Sequence, residues 1–419
     1  MLTGALIGPV FAPDQGETPI LRLVWLPVYA ITAAVMLIRV RRIAQAWPAW
    51  IALLMLVALA FASKYWSIDP STTSRRVIAM GLSGCFAVYL GAVFHGVALP
   101  RILAIATLVM GVGSVVMVFA VPSIGVHQDV NAGLWRGLWY EKNQMGIVMV
   151  AGATAAAAWL AAENRIRLVP LATLGLSSLL VLATQSKTSL LCLMLGVGLV
   201  AGLWAMRKGG PAFAVVCVWC GVVGGTVGAW LWNTQSAAIL TALGKDPSLT
   251  GRTKIWAALM REVSERPWTG YGYNAFWGPD SIPALYIRRE TGWAVPSAHN
   301  GWIDLLIQLG WPGAILVGAL VFIAALAAIL RLGGQGRREG GWSLAYLAVF
   351  FLLSLSESIL LSHTNLPWSL FLAILARAVT PDPVPARVPL APRPRPAYLT
   401  GSRIAAHSRH GPTRRPVLL

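Results

Sequence analysis

Between Gly251 and Gly313 the chain sets one histidine, several arginines and many aromatics in the only long polar interval among apolar segments. It opens with Gly251-Arg252-Thr253-Lys254 and passes through Glu265-Arg266-Pro267-Trp268-Thr269-Gly270-Tyr271-Gly272-Tyr273. It closes with His299-Asn300-Gly301-Trp302 and then Gly310-Trp311-Pro312-Gly313. Asn300 is a good helix N-cap, and Asp304 falls in the turns that follow, where a carboxylate suits the helix dipole. His299 then lies just outside the positive end of a helix, which disfavours imidazolium, so a neutral ring able to accept a proton is expected. Arg252 enters a helix from a glycine and is expected at phosphate depth. A base beside fixed cations and aromatics at a bilayer surface suits an anionic, sugar-bearing lipid.

The elements that must hold these residues are membrane helices. The chain has 419 residues, of which 57% are hydrophobic and 11% charged, with a mean hydropathy of +0.68. Soluble domains carry about 25% charged residues, so a polytopic membrane protein is expected. The net charge of +18 is spread over short loops and a tail, the distribution that membrane topology produces, so nucleic acid is set aside as a partner. Cys85, Cys192, Cys217 and Cys220 all fall in apolar segments and read as small buried hydrophobes. A spanning helix needs roughly 20 mostly apolar residues. Such stretches lie at about 20–38, 48–63, 77–95, 102–121, 144–162, 168–183, 189–205, 212–232, 313–330, 341–355 and 365–379. The expectation is therefore an all-α bundle of 11 or 12 transmembrane helices, with residues 1–12 open as a further segment. No basic region followed by a small-residue cleavage site marks a removable signal peptide.

Orientation follows from the basic residues of the short loops. Arg39, Arg41, Arg42, Arg101, Arg165, Arg167, Arg207, Lys208, Arg331, Arg337 and Arg338, with eight arginines from Arg377 onward, make 19 of the 33 basic residues. This set is placed in the cytoplasm. Long loops translocate largely regardless of charge, so residues 233–312 form one large periplasmic loop between helices at 1–232 and 313–379. Residues 380–419, rich in proline and arginine, are expected to be a disordered cytoplasmic tail that anchors against anionic lipid.

Within the outer loop, residues 253–266 read as an amphipathic helix that Pro267 stops, with Gly270 and Gly272 giving a flexible turn. Asn300 to Leu309 makes roughly 15 Å of helix, too short to span. The Gly310-Trp311-Pro312-Gly313 run supplies a bend, and the remainder to Leu330 reaches across the bilayer. His95, His127, His363, His407 and His410 read as interfacial or capping residues, and no spacing predicts a metal.

His299-Asn300, nine residues, then Gly310-x-x-Gly313 resembles the His-[Asn/Ser/Gln]-x9-Gly-x-x-Gly pattern of the O-antigen ligase/polymerase superfamily. Gly251-Arg252-Thr253-Lys254-Ile255-Trp256 and Pro267-Trp268-Thr269-Gly270-Tyr271-Gly272 are similar to that superfamily's outer loop. Trp66-Ser67-Ile68-Asp69-Pro70 resembles its exopolysaccharide-polymerase branch. Two departures stand out: the ligases' Arg-x3-Leu spacing reads Arg252-x3-Trp256, and Gln185-Ser186-Lys187 has lysine where relatives often have arginine.

The resemblance implies a GT-C-like, inverting membrane glycosyltransferase of the bacterial inner membrane, working at the periplasmic face without metal or other cofactor. Its donor and acceptor are undecaprenyl-diphosphate-linked glycans, and it leaves room for a chain-length regulator or copolymerase. His299 corresponds to the motif base and Arg252 to the arginine that holds diphosphate. Lys187 and Arg261 add charge, and Lys142 and Asn300 join the substrate-binding set. Trp268, Tyr271, Tyr273 and Trp277 are expected to line the glycan path. A repeat-unit polymerase is preferred over a ligase that delivers glycan to lipid A core or protein. A transporter or flippase ranks behind both, because the charges cluster at loops rather than deep in the bundle.

Overall fold

A computed structural model describes residues 5, 9, 19–128, 131–242, 252–292, 294–363 and 365–381; these are mostly helical, with no strand among them beyond an isolated Val126–Trp135 bridge. The expected tail and most of residues 1–12 lie outside the described residues. The principal helices are α1 (Pro19–Ile38), α2 (Trp47–Ala62), α3 (Pro70–Val93), α4 (Ala98–Ala120), α5 (Lys142–Glu163) and α6 (Leu168–Thr184). They are followed by α7 (Lys187–Ala242), α8 (Arg252–Glu265), α9 (Ile282–Thr291), α10 (Gly301–Leu330), α11 (Trp342–Ser354) and α12 (Leu366–Val379). Among the described residues, six segments are long and apolar enough to cross a membrane, and four shorter apolar helices accompany them. Gly210, at φ 78° and followed by Pro211, divides the longest of the six in two, so each of the eleven expected spans has a counterpart. The protein is an all-α, multi-pass membrane protein.

Small residues decide which helix is central. The α5 sequence is rich in alanine and glycine, and 78% of its apolar window is buried inside the protein, far more than for any other long span. Without side-chain bulk, neighbouring backbones approach closely, which is how helices associate in lipid. A Cβ on Gly152 would lie 2.2 Å from Thr107 of α4, and one on Gly146 would lie 2.3 Å from Ser189 of α7. The outward faces carry Val109, Phe119, Leu179 and Phe322, all more than 60% exposed, as a lipid-facing surface requires.

The bend expected in α10 is present, with Gly310 at φ 64° and ψ −164°. Its cost in hydrogen bonds is met by the loop before it. Pro312 has no N–H for the Gln308 carbonyl, and the Trp311 N–H turns away to the Pro267 carbonyl at 2.8 Å. Two helix carbonyls would thus be stranded in an apolar setting. The N–H groups of Tyr271 and Gly272 reach them instead, bonding Ile307 at 2.9 Å and Gln308 at 3.0 Å. Fit is close enough to demand glycine: a Cβ on Gly310 would lie 2.5 Å from the Pro267 carbonyl, and one on Gly270 2.5 Å from Gln308. The Gly270–Gly272 turn is therefore a clasp on the broken helix, not a flexible linker.

The Trp66–Pro70 segment closes over this clasp. Trp66 Nε1 donates to the Thr269 carbonyl at 2.8 Å, and the Ile68 N–H donates to the Tyr271 carbonyl at 3.1 Å. Three elements differ from expectation. Helix α3 begins at Pro70, two turns ahead of the span expected from about residue 77, because Asp69 caps it by accepting from the Thr72 N–H at 2.9 Å. Helix α7 continues to Ala242, with a second irregularity at Gln235. Helix α9 has no apolar periodicity to announce it, although Ser281 followed by Pro283 is an N-terminal signature and Ser281 does accept from the Ala284 N–H.

Candidate active site

His299 precedes α10 in a left-handed backbone conformation, φ 49°, which non-glycine residues adopt at a cost of about 1–3 kcal/mol. The residues on either side impose it. Asn300 Oδ1 caps α10 by accepting from the N–H groups of Trp302 at 3.0 Å and Ile303 at 3.2 Å, as the sequence predicts. On the other side Ala298 is held at both backbone groups. Its carbonyl accepts from Trp256 Nε1 at 2.9 Å, and its N–H donates to Asp304 Oδ1 at 3.3 Å. Trp277 Nε1 fixes that carboxylate at 2.7 Å. Helices α8 and α10 and the 275–278 turn thus converge on the residue before the histidine.

Burial of the imidazole, and secondly the nearby Arg252 guanidinium, lower the His299 pKa from its ordinary 6.5 to about 4. The ring is neutral at physiological pH, as expected, but desolvation is the larger cause rather than the helix dipole. Arg252 opens α8, half-buried, with Nη1 donating to the Ser356 carbonyl at 2.9 Å. The structure therefore brings His299 and Arg252 into electrostatic range of one another, at the same end of the bundle.

Other cations gather at this end to different degrees. Lys142 opens α5, and the next residue, Asn143, donates to Glu357 Oε1 at 3.4 Å in the loop that also holds Arg252. Lys187 opens α7, exposed, where the start of that helix packs on the start of α5. Arg261 is not part of the group. Nine residues beyond Arg252, it lies about half a turn round the helix and ~13 Å along it, and pairs with Glu290 on the exposed face.

The aromatics divide similarly. Trp268 is exposed at 66%, while Tyr271 and Tyr273 are in the core at 5% and 0%. Tyr271 donates to Glu262, with Arg266 stacked 4.7 Å from its ring centroid, and Tyr273 donates to the Leu361 carbonyl at 2.6 Å. Trp277 stands behind His299 through Asp304. Of the four residues expected along a glycan path, Tyr271 and Trp277 thus pack in the cluster beneath the candidate base, and Tyr273 is buried in the main helical core. Sequence reasoning passed over Trp256, whose indole N–H explains the departure from leucine at that position, and the positioning by Asp304. It also passed over Arg288, which binds the carbonyls of Trp277, Gly278 and Val295 and ties α9 to the same turn.

Fold and site together define a helical membrane protein whose polar groups meet where a broken helix begins. Residues 172–318 match the Wzy_C family model, described as O-Antigen ligase, a range that contains Lys187, Arg252, His299 and the Gly310 break. Over these residues, about a third of its length, the chain is similar to the O-antigen ligase family. It is 25% identical to the Exopolysaccharide production protein ExoQ of Rhizobium meliloti over 328 residues, covering 74% of this chain and 73% of that one. It is also 25% identical to the O-antigen ligase of Pseudomonas aeruginosa over 299 residues, covering 70% and 66%. A shorter match, 32% over 143 residues, covers 33% of the chain and 24% of the General O-oligosaccharyltransferase of Acinetobacter baylyi.

Proposed function

We propose that this protein is an inverting glycosyltransferase that extends undecaprenyl-diphosphate-linked repeat units into an exported polysaccharide, at the periplasmic face of the bacterial inner membrane. The observation that carries the reading is a neutral, conformationally fixed histidine within the field of Arg252. An acceptor hydroxyl oxygen attacks the donor's anomeric carbon, and the bond from that carbon to the lipid diphosphate breaks. The hydroxyl proton passes to His299, whose neutrality leaves it ready to accept. The departing diphosphate takes the electron pair, and Arg252, with Lys187 and Lys142 at the same end, offsets its charge. No other group is needed to balance the step. The match to an exopolysaccharide production protein over most of both chains supports polymerase chemistry.

Similarity to an O-antigen ligase supports a second reading, transfer of finished glycan to a lipid A core or protein. Analysis of cell-envelope glycans in a His299→Ala strain separates the readings. A polymerase without its base leaves single lipid-linked repeat units and no polymer. A ligase leaves full-length glycan on the carrier lipid. Ordinary amounts of long polymer, normally attached, would end both.

A further inference from the structure

At the end of the bundle opposite His299, a cavity of about 310 Å³ is lined by Arg207, Lys208 and Arg337, with Asn164 and Trp204 at its side. It opens beside an apolar groove of about 530 Å³ running between α5, α6 and α7, walled by Leu171, Leu174, Val197 and Val200. Ala161, Asn164 and Trp204 border both. Trp204 marks the junction: its indole N–H donates to Asn164 Oδ1 at 3.2 Å, while its ring faces apolar neighbours, the posture of a tryptophan at a membrane interface.

The charges are brought together by the fold. The turn after α10 folds back so tightly that a Cβ on Gly340 would lie 2.0 Å from the Ala158 carbonyl, and Gly340 and Gly341 take φ values of 70° and 82°. Arg207 Nη2 donates to the Gly336 carbonyl of that turn at 3.2 Å, which sets Arg337 close enough for the two guanidinium groups to repel. Glu339 attracts Arg207 but is one carboxylate against three cations. Glu163, at the end of α5, is already engaged by Arg101 at 2.6 Å and by Arg167. Like charges held together at a membrane surface make an anion site, and basic pockets between helices are suited to phosphate headgroups.

We infer that this end of the protein binds an anionic phospholipid, its phosphate in the Arg207–Lys208–Arg337 cavity and one acyl chain in the groove between α5, α6 and α7. A soluble phosphate would use the cavity alone; the adjoining groove is what assigns a lipid. The site is distinct from the candidate active site, lying a full membrane span from it along α5, α7 and α10.

Native mass spectrometry of the delipidated full chain, titrated with phosphatidylglycerol, phosphatidylcholine of the same chain length, or inorganic phosphate, tests this. The first phosphatidylglycerol is expected to bind at least about tenfold more tightly than phosphatidylcholine, and the Arg207→Gln/Arg337→Gln variant to lose that preference. Ala201→Trp, which fills the groove from an exposed position, is expected to weaken phosphatidylglycerol binding with the cations intact. Should the double variant fail to fold, Lys208→Gln, also exposed, and Ala201→Trp carry the test. Equal binding of the two lipids, or phosphatidylglycerol binding unchanged in the variants that fold, overturns the inference. Inorganic phosphate binding as tightly as phosphatidylglycerol overturns the assignment of a lipid.

Discussion

Two histidine–arginine pairs stand on the candidate active-site side of the bundle, and they are built for different tasks. His363 accepts from Arg76 of α3 at Nε2, and its Nδ1 meets the Asn274 side-chain amide at 3.3 Å. Burial and the Arg76 charge lower its pKa to about 3, so it is at least as firmly neutral as His299. Yet its ring is used up in joining α3, the 271–274 turn and the loop before α12, close to where Tyr273 ties into Leu361. His299 instead follows a backbone unit clamped on both sides and heads a half-helix, with Arg252 anchored on a carbonyl. A depressed histidine pKa beside an arginine is therefore common to a fastener and to a candidate base. What differs is where the neighbouring elements act: on the His363 ring itself, and on the backbone just before His299.

Replacing each histidine breaks this comparison most forcefully. His299→Gln is expected to lower glycan transfer by about 10²–10⁴-fold, the range for loss of a general base, with little change in melting temperature. His363→Gln is expected to do the reverse. It removes about 1 kcal/mol of hydrogen bonding, read as a lowered melting temperature, and leaves the pH dependence of transfer alone. Equal losses of transfer in both variants would dissolve the distinction.

Arg252→Ala is next in size, about 10²–10³-fold in transfer if it offsets leaving-group charge. The same variant carries a subtler mark: without the guanidinium the His299 pKa rises, though burial, the larger cause, keeps it below 6.5. The acid limb of the residual activity should move upward.

Gly310→Ala sharpens the comparison from the scaffold side. Its Cβ would press on the Pro267 carbonyl at a positive φ, so a loss of about 1–3 kcal/mol in stability is expected, measured by thermal unfolding in detergent. Smallest is the pH dependence of stability. Both histidines have folded pKa values below 6.5, so the unfolded chain binds more protons under mildly acidic conditions. Their contribution is complete above pH 6.5 and is lost as the pH falls toward about 4 for His299 and about 3 for His363.

The sequence made the helical frame legible because apolar length and loop charge are local properties. It also revealed the short first half of α10, since Asn300 as a cap and Gly310 with Pro312 as a break act within a few residues. What it could not reveal are the long-range partners. Tyr271 and Tyr273 read as stacking platforms, because nothing near them in sequence shows that a carbonyl of a broken helix, or Leu361, awaits them. Trp256 read as a departure from a motif until Ala298 was seen beneath it. Arg261 read as kin to Arg252, although helical spacing alone sets the two on opposite faces. The clasp between Trp66–Pro70 and Pro267–Tyr273 joins two stretches roughly 200 residues apart, and only folding shows that each is the other's partner.

The central claim is that His299 acts as a base that is already neutral in the resting protein. The pH dependence of kcat/KM for glycan transfer by protein reconstituted in liposomes tests it most directly, because that ratio reports the pKa of the free enzyme's base. The account predicts activity that holds from pH 7 to about 5 and is half lost near pH 4. Half-loss near 6.5, the value of an ordinary exposed histidine, would contradict it.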